Sequence, residues 1–237
     1  TNTLEETKIY AKKVWIGNDP AASLTLELQY QKADESWSSF PTPAKITLNG
    51  TEDTGTAAYR ETTTPEEKAK GIWTAVWEHV PKVYPGSKTE EGKTLYRVVE
   101  TIPSGYQALE NVTNETKEEN GVTYPVFRFE NMRQVSLTVT KKWYGEENPE
   151  EIVVELYRKA GNDGTEEPVT NKNGDSLTQK LTATNQWKVT FAGLPKYVEV
   201  NDQWVQCIYY AKEVSIGGTP AEETDYRILY KNTPETP

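Results

Sequence analysis

Apolar and polar side chains alternate with a period of two along most of this chain. In Ile9-Tyr10-Ala11-Lys12-Lys13-Val14-Trp15 the residues Ile9, Ala11, Lys13 and Trp15 share one face, and in Leu137-Thr138-Val139-Thr140-Lys141-Lys142-Trp143 so do Leu137, Val139, Lys141 and Trp143. Similar alternation over residues 24–30, 72–80, 94–101, 124–131 and 152–157 predicts further strands, separated by turn sequences such as Gly17-Asn18-Asp19-Pro20 and Pro103-Ser104-Gly105. The polar stretch 33–70, broken by Pro41, Pro43, Gly50, Gly55 and Pro65, predicts one or two short strands within long loops and a helical turn over Thr64 to Ala69. Asn111 to Asn120 reads as a hairpin tip. The pattern predicts an all-β chain.

The same landmarks occur twice in the same order. Trp73 to Lys82 matches Trp187 to Lys196 in spacing, Tyr96-Arg97-Val98-Val99-Glu100 matches Tyr209-Tyr210-Ala211-Lys212-Glu213, and Phe127 to Asn131 matches Ile228 to Asn232. The expected organisation is a domain over 1–133 with long loop insertions and a second over 134–237 with a Pro-rich C-terminal tail. No flexible linker separates Asn131 from the strand at Val135, so a stiff end-to-end rod is expected.

Composition narrows the chemistry. The 237 residues carry a net charge of -10, which supplies no basic stripe for nucleic acid. Cys207, His79 and Met132 are each single, which excludes an internal disulfide and argues against a zinc site or a Cys/His or Ser/His/Asp centre, so no metal and no cofactor are expected. No apolar run approaches a membrane-spanning length, and the chain reads as a fragment without its own signal peptide or anchor, making no membrane contact. Trp73, Trp77, Trp187 and Phe191 fall at strand spacing and are assigned to core packing rather than to a carbohydrate platform.

The polar residues that share apolar faces carry the chemistry. Lys13, Glu100 and Asn131 fall in phase with apolar neighbours in the first half, as do Lys141, Glu213 and Asn232 in the second. Alone, either lysine would read as an edge-strand residue snorkelling to water, and either asparagine as a strand-end cap. Three polar groups buried in one core must satisfy one another.

Lys-x-Trp in the opening strand, Trp-x-x-x-Phe-x-x-Leu-Pro-Lys-Tyr from Trp187 to Tyr197, Tyr-x-x-x-Glu at Tyr209 to Glu213 and the terminal Asn232-Thr233 resemble the collagen-adhesin B-type (CnaB) domain of Gram-positive surface proteins and pilins. The first half fits more loosely, with longer loops and Met132 after Asn131. The resemblance implies tandem transthyretin-like or inverse immunoglobulin-like β-sandwiches, each closed by an autocatalytic isopeptide bond: Lys13 to Asn131 assisted by Glu100, and Lys141 to Asn232 assisted by Glu213. Burial lowers the pKa of a lysine and raises that of a carboxyl, so a free amine can attack the amide while the acid polarises its carbonyl and shuttles protons. Each domain would react once, without turnover as an enzyme. The implied role is a stalk segment of a cell-wall-anchored, extracellular adhesin or pilus, partnered by neighbouring domains of the same surface protein. The alternative is a ligand-binding module whose long loops at 33–70 or 105–124 contact host extracellular matrix or glycan.

Overall fold

The computed structural model describes residues 5–41, 44–51, 55–56, 59–110, 112–145 and 148–230. The chain is nearly all β and divides into two compact units, Thr1–Arg133 and Gln134–Pro237.

In the first unit two sheets face each other. One runs, in order of pairing, Tyr106–Ala108, Val122–Thr140 through its first-unit residues, Glu6–Trp15, Ile72–Pro81, Tyr59–Glu61 and Gly55–Thr56, with Glu115–Glu119 also paired to the long strand. The other is built on Leu24–Gln31, flanked on one side by Tyr96–Thr101 and on the other by Trp37–Ser39 and Lys45–Leu48. Their facing side chains make the core: Ile9, Ala11, Trp15, Trp73, Ala75 and Trp77 from the first sheet meet Leu24, Leu26, Leu28, Ile46, Leu48 and Val98 from the second. These are the alternate positions of each strand, as packing two pleated faces requires. The first and last strands are direct parallel neighbours, with Lys13 beside Phe129 and Trp15 beside Asn131.

The polar stretch 33–70 holds more regular structure than its composition suggests. Among its described residues are four short strands and the helix Pro65–Ala69, whose capping box pairs the Thr64 side chain with the Glu67 backbone and the Glu67 side chain with the Thr64 backbone. Glu61, fully buried, organises the adjoining loop: its carboxylate accepts hydrogen bonds from the backbone N–H of Asn49 and Gly50, both at 2.9 Å, and from the Thr63 hydroxyl at 2.6 Å. Charge this deep is tolerable only with such donors. Gly50 has φ 72°, and a Cβ there would stand 2.6 Å from the Trp73 indole nitrogen, so glycine is required on both counts.

The hairpin expected at 111–120 is displaced along the chain. Glu115–Glu119 is itself a strand, and the turn is Asn120-Gly121, with φ 51° and 76°, the positive values a tight two-residue hairpin turn demands. Lys8 and Lys117 neutralise Glu119, and Lys12 and Arg128 neutralise Glu115, so acidic residues that read as a solvated tip lie instead in a charged ladder.

In the second unit, residues 134–140 of the long strand pair with Lys188–Pro195, while Glu151–Ala160 sits between Gln203–Ile216 on one side and Glu167–Pro168 and Thr178–Thr182 on the other; Tyr197–Val200 pairs at the far edge. Ile152, Val154, Leu156, Leu181, Phe191, Leu194 and Ile216 form the core. Here one expectation differs. Residues 225–230 lie outside any strand, with Leu229 71% exposed. Only Ile228 packs on the core, and so short an alternating stretch offers few ladder hydrogen bonds against the entropy of ordering it.

Gly50→Ala is expected to destabilise the first unit by about 2 kcal/mol or more, from left-handed strain and the clash with Trp73, read as a lower urea midpoint. An unchanged midpoint would show that the loop relaxes freely.

Candidate functional site

Three strands from the two facing sheets of the first unit bring Lys13, Glu100 and Asn131 together. Lys13 and Asn131 are fully buried, at 0% exposure, on adjacent parallel strands, because each takes a core-facing position in its own alternation. Glu100 reaches them from Tyr96–Thr101 in the opposite sheet. Lys13 Nζ stands 2.7 Å from Glu100 Oε1, close but without the angle of a good hydrogen bond, and Asn131 Nδ2 donates to the same oxygen at 2.7 Å. Asn131 Oδ1 is buried and has no hydrogen-bond partner among the described residues. The acid therefore meets the amide nitrogen rather than the amide oxygen.

Burial governs the lysine. Removal from water pushes its pKa down to about 8 from the ordinary lysine value, and the nearby Glu100 carboxylate opposes that shift only in part. A substantial neutral fraction of the amine is thus available at mildly alkaline pH.

The second unit places Lys141 and Glu213 in the same relation. Lys141 Nζ donates to both Glu213 oxygens, at 2.8 and 3.1 Å, with the side chains 14% and 9% exposed. Asn232 lies outside the described residues.

An aromatic wall closes both sites. Lys13 Nζ lies 4.7 Å from the centre of the Trp15 ring, and Trp15 meets Trp73 and Tyr106 edge to face at 5.0 and 5.2 Å. In the second unit Lys141 Nζ lies 4.6 Å from the Trp143 ring, which meets Trp187 at 5.2 Å and Tyr226 at 5.7 Å in the same manner. One further bond recurs: the Tyr96 hydroxyl donates to the Pro81 carbonyl at 2.7 Å, and the Tyr209 hydroxyl to the Pro195 carbonyl at 2.7 Å. Sequence spacing pairs Trp73 with Trp187 and Tyr96 with Tyr209 but overlooks Tyr106 and Tyr226. Their common signal is an aromatic following the turn after the glutamate strand, and the longer connection through Gly217, Gly218 and Ala221–Glu223 hides it in the second unit.

Residues 137–223 match the family described as Cna protein B-type domain. The Cna B-type match takes in Lys141, Trp143, Trp187, Tyr209 and Glu213, so the lysine and acid of the second site lie within it. Three solved structures are similar over most of the chain: a single B repeat unit of the collagen binding surface protein of Staphylococcus aureus (20% identity, 89% of this chain and 87% of that one, TM-score 0.28), a shaft pilin of Lactobacillus rhamnosus GG (15%, 90% and 88%, 0.30) and a streptococcal ancillary pilin (14%, 90% and 60%, 0.33). No curated protein matches the chain.

Tyr96→Phe and Tyr209→Phe should each lower the stability of their own unit by about 1 kcal/mol, the worth of one hydrogen bond to a carbonyl. Denaturant melts with one variant per unit check this, and a change of nearly zero in either would mean that water replaces the bond there.

Proposed function

We propose that the chain is a structural stalk segment of an extracellular bacterial adhesin or pilus, in which residues 1–133 form a Cna B-type domain like that of residues 134–237. In this reading each domain is closed by an autocatalytic isopeptide bond, Lys13 to Asn131 and Lys141 to Asn232. The observation that carries it is the convergence of a buried amine and a buried carboxamide, from opposite ends of the first unit, on one oxygen of Glu100. The repeated Lys141 and Glu213 pair supports the same chemistry in the second.

Neutral Lys13 Nζ attacks Asn131 Cγ, Glu100 takes the proton released from the amine, and the same carboxyl returns it to Nδ2, which departs as ammonia. An amide replaces an amide, so no outside reagent is needed. Alignment in a packed core substitutes for activation, with effective molarities on the order of 10⁵ to 10⁸ M available to held partners. Folding is the catalyst and the product stays in place, so there is no turnover.

Joining the first strand to the last encloses a loop of roughly 100 residues, which the chain-entropy treatment of cross-links values at about 5 kcal/mol. Neighbouring domains of the same cell-wall-anchored protein are the natural partners of such a segment. The alternative, a ligand-binding module acting through 33–70 or 105–124, would be favoured by exposed aromatics there; among the described residues the exposed large hydrophobic in those spans is Val122.

Intact mass under denaturing conditions tests the bonds: the expected deficit is two ammonia molecules, and Lys13→Ala or Lys141→Ala should each restore one. A wild-type mass equal to the sequence mass would sink the proposal. For chain recovered unfolded and diluted into folding buffer, formation of the first-unit bond should accelerate as pH rises and reach half its plateau near pH 8, since only the neutral amine attacks. A rate independent of pH between 6 and 10 would remove Lys13 as the nucleophile.

A further inference from the structure

The oxygen of the reacting amide has no donor, and a donor with no acceptor stands on the residue beside it. Asn131 Oδ1 and Trp15 Nε1 are both buried and both lack a hydrogen-bond partner among the described residues. Trp15 and Asn131 are direct register partners on adjacent parallel strands, and both are core-facing, at 1% and 0% exposure. Buried polar groups are rarely left unsatisfied without a reason, and one recognised reason is a role in catalysis.

Glu100 cannot easily fill this need. Its Oε1 accepts the Asn131 amide N–H and lies against the Lys13 amine, which places the acid on the proton-transfer path between nucleophile and leaving nitrogen. When the amine adds to Cγ, negative charge develops on Oδ1, on the side of the amide that Glu100 does not contact. We infer that the Trp15 indole N–H is the oxyanion donor of the first unit, stabilising the tetrahedral intermediate at Asn131 Oδ1 while Glu100 moves the proton. This rests on the isopeptide reading above. The ring lies over the reacting amine at 4.7 Å, and Trp73 and Tyr106 meet it edge to face, so the indole is held at the dry site where electrostatic stabilisation is most effective. Trp143 repeats the feature: its Nε1 is likewise buried without a partner, and its ring lies 4.6 Å from Lys141 Nζ.

Trp77 supplies a control. Its indole N–H is also buried and unpartnered, but Trp77 pairs in register with Ile9, a full turn of the alternation and more away from Lys13 along the strand.

The test follows the cross-linked peptide containing Lys13 and Asn131 by mass spectrometry after refolding from denaturant, across pH 6 to 10, for wild type, Trp15→Phe, Trp77→Phe and a chain with the isosteric benzothienylalanine, which lacks the N–H, at position 15. Loss of one oxyanion donor should lower the plateau rate about 10²-fold in Trp15→Phe and in the benzothienylalanine chain, leave the pH midpoint in place, and leave Trp77→Phe near the wild-type rate. A packing defect at position 15 would instead admit water and move the midpoint upward as the amine regains solvation, and that outcome, or an unchanged rate in the benzothienylalanine chain, would overturn the inference. If wild type forms no cross-linked peptide at all, the isopeptide reading itself fails, which is a separate result.

Discussion

A lysine amine cannot be held dry inside a β-sandwich without consequence, and the architecture of the first unit is arranged around that constraint. Water is excluded by an indole face on one side and by two sheets of aliphatic side chains around it. The usual answer to a buried ammonium is a salt bridge, yet here the contacting carboxylate, Glu100, is shared with a carboxamide. Desolvation therefore outweighs attraction, and the amine loses its proton at a lower pH than an ordinary lysine, near 8. A group that is expensive to bury as an ion would be inexpensive as an amide, so the proposed reaction and stability point the same way.

The two units apply one plan. Each sets a lysine over a tryptophan, braces that tryptophan with a second tryptophan and a tyrosine, and ties a further tyrosine to a proline carbonyl. In the first, the final strand lies beside the opening one and the site is sealed. In the second, the described residues beyond Pro220 form one short 3-10 turn and then no regular structure, and the lysine and acid retain some exposure. Charge separation is cheaper where water remains, which accounts for the two-oxygen ion pair of Lys141 with Glu213 where Lys13 makes only a single close approach.

Strand alternation made much of this legible in advance. Lys13, Glu100 and Asn131 could be placed on core-facing positions because a pleated strand assigns alternate residues to opposite faces, and burial follows from that assignment. The meeting of the three could not be read in the same way, since it depends on which strands become neighbours and in what register. Asn111 to Asn120 reads as a tip because nothing local shows that its acidic side chains find partners across the sheet, Arg128 on the neighbouring strand and Lys8 and Lys12 on the strand beyond it. The buried anchor at Glu61 is equally hidden, as two of its three donors are the backbone N–H groups of Asn49 and Gly50, which carry no mark in the sequence. Contact of the acid with the amide nitrogen rather than its oxygen is a matter of side-chain orientation, which no periodicity encodes.

The parallel pairing of the opening and closing strands in the first unit has a consequence for how that unit yields to load. A pull at the start of Glu6–Trp15 opposed by a pull beyond Asn131 acts along the ladder from Tyr10 beside Val126 to Trp15 beside Asn131, so its hydrogen bonds slide against the force together instead of peeling one at a time. Independently of the proposed covalent link, the pairing itself resists extension by shear.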